Sequence, residues 1–216
     1  MTARGAPRSL DVLRRLAQSL PPSPADLADE HCEMCGAPVA AEHGHVVDLE
    51  DRSLLCACRP CWLLFPEGAQ QRYRSVPERH LAFPGFRLAP GRWDDLDIPV
   101  GLAFFFRSSL LGRVVALYPG PAGATESTLP LGAWDGVEAD NPDLGELRSD
   151  VEALLIRAGD RPACTLVPVD RCYELVGRLR QVWRGFDGGA DARAVLAAFE
   201  SDVAARSRPV TSRRAR

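Results

Sequence analysis

Two pairs of cysteines, each with the spacing Cys-x-x-Cys, constrain the fold of this chain more than any other feature. The pairs are Cys32 with Cys35 and Cys58 with Cys61. Each pair can present two thiolates from one tight turn, and the 22 residues between the pairs suffice for a hairpin that brings the turns together. Gly36 follows the first pair, where such a turn often needs a backbone conformation that glycine adopts at little cost. We therefore predict one tetrahedral metal site with four sulfur ligands.

The segment between the pairs has the pattern of a β-hairpin. Residues 45–49 and 53–56 are predicted strands, and the turn residues 50–52 separate them. A hairpin here returns the chain to its starting point, as in a zinc ribbon or a rubredoxin-like site. We expect a metal-binding module over residues 29–66.

Cys56 is an alternative ligand, because it lies two residues before Cys58. We favour Cys58, since it completes the Cys-x-x-Cys spacing with Cys61. Reduced, packed cysteines that cluster without a metal ion are the alternative to a site. Three histidines near the pairs are further candidates, for which we favour a solvated or supporting role: His31, His43 and His45.

Spacing alone does not identify the ion, because zinc and iron both accept four thiolates in this geometry. We expect zinc. Iron is the alternative and would make the protein a rubredoxin-like electron carrier, and an iron–sulfur cluster is a further option.

The composition fits one compact domain with a small metal module. The chain has 216 residues, of which 46% are hydrophobic and 25% charged. The longest apolar run, near residues 100–106, is far shorter than the roughly 20 residues of a membrane span. Seven cysteines with metal spacing argue against a disulfide framework, and a proline-rich stretch follows Arg14 and Arg15 where an export signal would be apolar. We expect a cytoplasmic location.

The charged residues exclude some functions. All 26 basic residues are arginine, so a phosphate-binding loop of the lysine type and Schiff-base catalysis are both excluded. The net charge of −3 divides into +3 for residues 1–20, +5 for residues 206–216 and therefore −11 for the rest. A nucleic-acid-binding zinc-ribbon protein needs a basic surface, which only residues 206–216 could supply. We interpret that segment as an arginine-rich disordered tail and do not expect nucleic acid as a partner.

The remaining segments predict an α+β domain over residues 93–205. Residues 1–28 form an N-terminal arm with a short amphipathic helix, and residues 67–92 form a connector with a short strand near residues 73–76. Within the domain we predict a hairpin (98–106 and 113–118), a strand (165–169), three helices (beginning near 131, 170–183 and 190–205) and a segment that is either helix or strand (150–157). Asp170 is a plausible helix cap.

No convincing catalytic set emerges from the sequence. All four histidines precede position 81, and no nucleophile motif is present. Glu126 and Glu174 are the carboxylates available as a general base, and we favour a structural role for both. Residues 119–127 form a small-residue loop, which we consider either a functional loop or a rigid turn. We favour a protein that is not an enzyme.

Several sequence segments resemble those of an uncharacterised actinobacterial family that is encoded beside nickel-iron uptake hydrogenases. They are HCEMCG (31–36), LCACRPCWLLF (55–65), IPVGLAFFF (98–106), YPGPAGATES (118–127), PVDRCYELVG (168–177) and WRG (183–185). The resemblance implies an accessory role near a hydrogenase, with the hydrogenase or its maturation factors as protein partners. A structural zinc would suit assembly or maturation, and an iron would suit electron transfer.

Overall fold

The computed structural model describes residues 30–66, 72–121, 123–127, 132–185 and 188–210. These residues form two β-sheets with flanking helices, which confirms the predicted mixed α+β class. The expected helix of the N-terminal arm lies outside the described residues. None of the described helices combines the length and apolar character needed to cross a membrane.

The first sheet has three antiparallel strands in the order β2-β1-β3. Its strands are β1 (Gly44–Asp48), β2 (Ser53–Ala57) and β3 (Tyr73–Ser75). The predicted hairpin is confirmed, because β1 and β2 pair from Gly44 with Ala57 to Asp48 with Ser53. The short strand expected near residues 73–76 is also confirmed and pairs with β1 on the side opposite β2.

The second sheet has seven strands in the order β10-β4-β9-β8-β5-β6-β7. All neighbours are antiparallel except β10 and β4, which are parallel. The strands are β4 (Leu81–Ala82), β5 (Leu102–Ser108), β6 (Arg113–Gly120), β7 (Gly123–Glu126), β8 (Glu152–Arg157), β9 (Ala163–Pro168) and β10 (Arg208–Pro209). The α-helices are α1 (Arg59–Trp62), α2 (Arg92–Asp95), α3 (Ala133–Asp140), α4 (Val169–Val182) and α5 (Gly189–Arg206), and a 3₁₀ helix spans Pro142–Glu146.

Helices cover both faces of the large sheet, which explains its apolar central strands. Successive side chains of a strand point to opposite faces. In β5, Phe105 stacks on Trp134 of α3 with ring centroids 4.7 Å apart, whereas Phe104 meets Phe199 of α5 edge-to-face at 6.5 Å. Two separate cores therefore require hydrophobic residues at consecutive positions.

Most predicted elements of this domain are confirmed. Residues 98–106 and 113–118 contribute to the antiparallel hairpin of β5 and β6, although β5 begins only at Leu102. The ambiguous segment 150–157 contains the strand β8, and the three expected helices correspond to α3, α4 and α5. The start of the predicted first helix, at position 131, lies outside the described residues.

The loop predicted over residues 119–127 is wrong, because most of this segment belongs to β6 and β7. Gly123 makes the tight connection possible with a φ of 106°. A Cβ at Gly123 would lie 2.6 Å from Cδ of Arg180 and 2.9 Å from Cγ1 of Val176. The segment is a β-hairpin packed against α4 and not an irregular loop.

Two further expectations need correction. Asp170 does not cap α4, because the N-cap position is Pro168 and the Asp170 carboxylate instead contacts His45. Part of the tail expected to be disordered is ordered, because Arg206 ends α5 and Arg208 and Pro209 form β10. Residues 211–216 lie outside the described residues.

Polar contacts join the two sheets. Arg74 of β3 donates from Nη1 to Oδ2 of Asp150 at 2.7 Å, next to the start of β8. On β1, Nδ1 of His45 lies 2.9 Å from Oδ2 of Asp170 in the first turn of α4. The cysteine-rich hairpin is therefore attached to the larger domain by side chains as well as by the connecting chain.

Candidate metal centre

The first cysteine pair lies in a compact turn closed by backbone hydrogen bonds. The Cys32 N–H donates to the Ala37 carbonyl, and the Gly36 N–H donates to the Cys32 carbonyl, each at 2.7 Å. Gly36 has a φ of 74°, the left-handed conformation expected for the residue after Cys35. The sequence thus folds locally into a turn that leaves two sulfurs on one side.

The second pair lies where β2 passes into α1. Cys58 is the N-cap residue of this short helix, and Pro60 occupies its first turn, where proline is favourable. The Trp62 N–H donates to the Cys58 carbonyl at 2.9 Å, which closes the turn that carries Cys61. The indole of Trp62 then donates to the Val76 carbonyl at 2.9 Å and anchors the turn to the rest of the sheet.

The four sulfurs of the two pairs converge. The Sγ atoms of Cys32, Cys35, Cys58 and Cys61 all lie within 4.8 Å of one another. Those of Cys35 and Cys58 are 3.7 Å apart. Tetrahedral zinc with bonds of about 2.3 Å requires sulfurs about 3.8 Å apart, so this arrangement of sulfurs fits a zinc ion. The four cysteines could hold a metal ion, and their assignment as its ligands stays a prediction.

The cluster lies at the boundary between a small core and solvent. Cys32 and Cys61 are 1% and 8% exposed, whereas Cys35 is exposed. The fully buried side chains beside them are only Val46 and Ala57, within the described part of the chain. Such a small core provides little hydrophobic stabilisation on its own.

The pKa values of Cys32 and Cys61 are shifted in opposite directions. Burial alone would raise the pKa of Cys32, but hydrogen bonds from the backbone of Cys58, Met34 and Cys35 outweigh it and lower this pKa to about 6. A hydrogen bond with the side chain of Cys35 is the main cause that raises the pKa of Cys61 to about 12. A divalent cation at the centre would supply the charge that allows all four groups to ionise.

The other sequence candidates lie elsewhere. Cys56 is outside the four-sulfur group and lies close to His43 and His45 instead. His31 forms an isolated bridge with Pro38. Cys164 and Cys172 are buried in the two cores of the large sheet.

The two carboxylates considered for catalysis are in ion pairs. Oε1 of Glu126 lies 3.3 Å from Nη2 of Arg113 on the neighbouring strand. Glu174 pairs with Arg171 and Arg178 of the same helix. These contacts support the structural role that we favoured for both residues.

A cavity of about 220 Å³ lies between the β1–β2 hairpin and the large sheet. Its lining includes Leu54, Phe104, Phe106 and Val169, and is largely apolar. The volume is below the roughly 300–1,000 Å³ of typical small-molecule sites. The four-cysteine cluster is therefore the stronger basis for a function.

Comparison with known proteins gives one result. The model of a family of unknown function, DUF5947, matches residues 31–207, which include both cysteine pairs and the strands β1 to β9. No curated protein and no solved structure shows a significant match. Because the match covers most of the chain, the protein belongs to the DUF5947 family.

Proposed function

We propose that this protein is a metal-binding accessory protein of an actinobacterial nickel-iron hydrogenase system. In this proposal Cys32, Cys35, Cys58 and Cys61 hold a structural zinc ion within a module over residues 29–66. The observation that carries the proposal is the convergence of four Sγ atoms within 4.8 Å.

A structural role suits the small size of the adjoining core. Within the described residues, Val46 and Ala57 are the fully buried side chains beside the cysteines, and partly buried residues such as Trp62 surround them. The ion would therefore add substantially to the stability that this small core gives the turns. Zinc binding contributes on the order of 10 kcal/mol to the folding of small zinc-finger peptides. The Glu33 N–H also donates to the Cys56 carbonyl at 2.9 Å, so the first turn already rests on the strand that leads to the second.

An exposed apolar pair supports a protein partner. Leu63 and Leu64 directly follow α1 and expose 57% and 65% of their surface. Large apolar side chains that adjoin each other on a surface are typical of interaction sites. In this proposal the hydrogenase or one of its maturation factors covers them.

The hydrogenase association rests on the resemblance of these sequence segments to a family encoded beside hydrogenase genes. Deletion of the gene tests it. We expect the deletion strain to lose hydrogen uptake, and the wild-type gene to restore it. The Cys35→Ser/Cys58→Ser variant should fail to restore uptake, whereas Cys164→Ala should succeed. Unchanged uptake with normal hydrogenase abundance in the deletion strain would contradict the proposal.

Co-purification tests the partner surface. A tagged Leu63→Ser/Leu64→Ser variant should recover less hydrogenase or maturation factor than the wild type. The matched control is Leu110→Ser/Leu111→Ser, because these two leucines are also exposed but lie in the β5–β6 turn. Equal recovery by the two variants would argue against this surface.

A rubredoxin-like iron protein is the second candidate, and the exposure of Cys35 favours it, since electron transfer requires a ligand near the surface. Elemental analysis of protein purified from its native host separates the two ions. Zinc without the red colour of iron-thiolate absorption supports the structural site. Stoichiometric iron with that colour supports the electron carrier.

A further inference from the structure

Three other potential metal ligands lie together on the β1–β2 hairpin. One ring nitrogen each of His43 and His45 and the Sγ of Cys56 are all within 4.8 Å of one another. None of these residues belongs to the four-cysteine cluster. Each of them is partly buried, and the side chain of His43 is only 9% exposed.

The strand pairing brings the three side chains to one face. His45 of β1 is directly opposite Cys56 of β2 in the antiparallel register. Directly opposed residues have Cβ atoms about 4.5–5.5 Å apart and project to the same side of the sheet. His43 precedes β1 by one residue, and its ring lies beside that of His45 with the centroids 4.9 Å apart. A Cβ at Gly44 between them would lie 2.7 Å from Cδ1 of Trp62.

Both imidazoles are oriented through their Nδ1 atoms. Nδ1 of His43 lies 2.8 Å from the Ala40 carbonyl, and Nδ1 of His45 lies 2.9 Å from Oδ2 of Asp170. A neutral imidazole that donates from Nδ1 carries its lone pair on Nε2. Histidine ligands of metal ions usually donate their other nitrogen to a carbonyl or carboxylate in this way.

The Nε2 atom of His43 is buried and has no hydrogen-bond partner. A buried polar atom without a partner costs free energy, and this one belongs to an imidazole ring that lies beside two other potential ligands, so it calls for an explanation. We propose that Nε2 of His43, Nε2 of His45 and Sγ of Cys56 form a second metal site, which binds a divalent transition metal ion and leaves one coordination position open.

The geometry and the ligand types fit such an ion. Bonds of about 2.0–2.3 Å in a tetrahedral site separate ligand atoms by about 3.3–3.8 Å, so separations of up to 4.8 Å need to shorten by about 1.5 Å at most. Two imidazoles and one thiolate suit zinc and cobalt better than calcium or magnesium. Three protein ligands with an open position are typical of zinc sites that also hold water or an exchangeable ligand.

Nearby carboxylates make the surroundings of the three ligands negative. Oε2 of Glu30 lies 3.6 Å from Nδ1 of His43, and Oε2 of Glu33 accepts a hydrogen bond from the Cys56 N–H at 2.6 Å. A cation would offset the negative charge that a Cys56 thiolate adds there.

Cobalt(II) is the probe for this site, because it replaces zinc in tetrahedral sites and absorbs visible light. The full-length chain is produced with Co²⁺ as the supplied transition metal and then titrated with Co²⁺ to saturation. We expect about two ions per chain, one in the four-cysteine site and one in the second site. The thiolate-to-cobalt absorption distinguishes them, because one ion has four sulfur ligands and the other has one.

Variants assign each ion to its site. Cys56→Ser and His43→Gln should each reduce the binding to about one ion per chain and leave the four-thiolate absorption intact, which also shows that the hairpin is folded. If the Cys56→Ser variant loses the four-thiolate absorption, the number of ions bound by the His43→Gln variant decides whether the second site exists. The Asp170→Asn variant should lower the affinity for the second ion about 10–100-fold, because Asp170 orients His45.

His80→Gln is the matched control, because Nε2 of His80 is also buried without a partner but lies outside the ligand group. It should retain both ions. A wild-type chain that saturates at about one ion, or a second ion that survives both His43→Gln and Cys56→Ser, would overturn the proposal. Loss of the four-thiolate absorption in Cys35→Ser/Cys58→Ser tests the first site separately.

Discussion

Arg79 forms a two-pronged ion pair with Glu152, whose side chain is completely buried at the start of β8. Nε of Arg79 donates to Oε1 at 2.6 Å and Nη2 donates to Oε2 at 2.9 Å. The Arg148 N–H donates to the same Oε2 at 3.0 Å. Because Arg79 lies between β3 and β4, this pair fixes the segment that leads from the small sheet into the large one.

Replacing Arg79 should destabilise the fold strongly. Arg79→Met leaves the Glu152 carboxylate buried without its cation, and we expect the free energy of unfolding to fall by about 3–5 kcal/mol. Urea unfolding measures this change. The control is Arg113→Met, which breaks the exposed pair with Glu126 and should cost less than about 1 kcal/mol. A similar small loss for both variants would contradict this account of the pair.

The β6–β7 hairpin should tolerate no side chain at Gly123. Alanine there would keep a φ of 106° and bring Cβ within 2.9 Å of Val176, so we expect a loss of at least about 1–3 kcal/mol from backbone strain alone. Gly177→Ala is the control in α4, where a Cβ meets nothing within 4 Å, and it should stabilise the protein by about 0.5–1 kcal/mol. Thermal unfolding should therefore show shifts of opposite sign, and equal shifts would refute the packing argument.

The Asp48 carboxylate should stabilise the fold at neutral pH and lose this effect in strongly acidic solution. Hydrogen bonds from Arg72 are the main cause that holds the pKa of this buried carboxyl below its usual range. The unfolded chain binds the proton more readily, so the stabilisation is complete above the unfolded pKa of about 3.9 and is lost as pH falls through the folded pKa.

The Asp48→Asn variant isolates this contribution. The difference in unfolding free energy between wild type and variant should be largest near about pH 7 and should shrink below about pH 4. Urea titrations over this range measure it. A difference that stays constant down to about pH 3 would show that ionisation of Asp48 is not the cause.

Removal of the metal ion should loosen one sheet and spare the other. After treatment with a strong chelator, we expect faster amide hydrogen exchange in β1, β2 and β3, because the small core beside the cysteines cannot hold the turns alone. Strands β5 and β8 have their own cores and should keep their protection. Uniform acceleration across both sheets, or none in either, would contradict a local structural role for the ion.

The sequence was most informative where a local rule determines the structure. The Cys-x-x-Cys spacing and Gly36 predict the two turns, and the alternation around the turn at 50–52 predicts the hairpin between them. The helix α4 follows from apolar residues at helical spacing, including Leu175 and Leu179, which are both fully buried. Each of these signals lies within a few residues of the element that it predicts.

The predictions that were wrong or ambiguous concern structure that depends on packing between distant segments. Residues 119–127 have the composition of a loop, but β6 and β7 pair there from Leu117 with Glu126 to Gly120 with Gly123, and α4 packs so closely that a Cβ at Gly123 would clash with it. Residues 150–157 were ambiguous because β8 is buried on both faces and lacks the alternation of a half-exposed strand. The order of the seven strands likewise depends on long-range pairing.

The group formed by His43, His45 and Cys56 shows the same limit. A histidine two residues before another on a strand is a visible signal, but its significance requires the register that places Cys56 opposite His45. The contribution of Asp170 comes from a residue 125 positions away and has no local signature. The sequence therefore suggested Cys56 as a substitute ligand for the first site, whereas the structure places it beside other partners.

The short strand β10 has a consequence for how the molecule behaves at high concentration. The N–H groups of Arg208 and Val210 donate inward to the carbonyls of His80 and Ala82. The residue between them is Pro209, whose nitrogen has no hydrogen to offer to the outside. The outermost strand at this border thus lacks a donor where an incoming strand would need one, which discourages chains from adding to one another edge to edge.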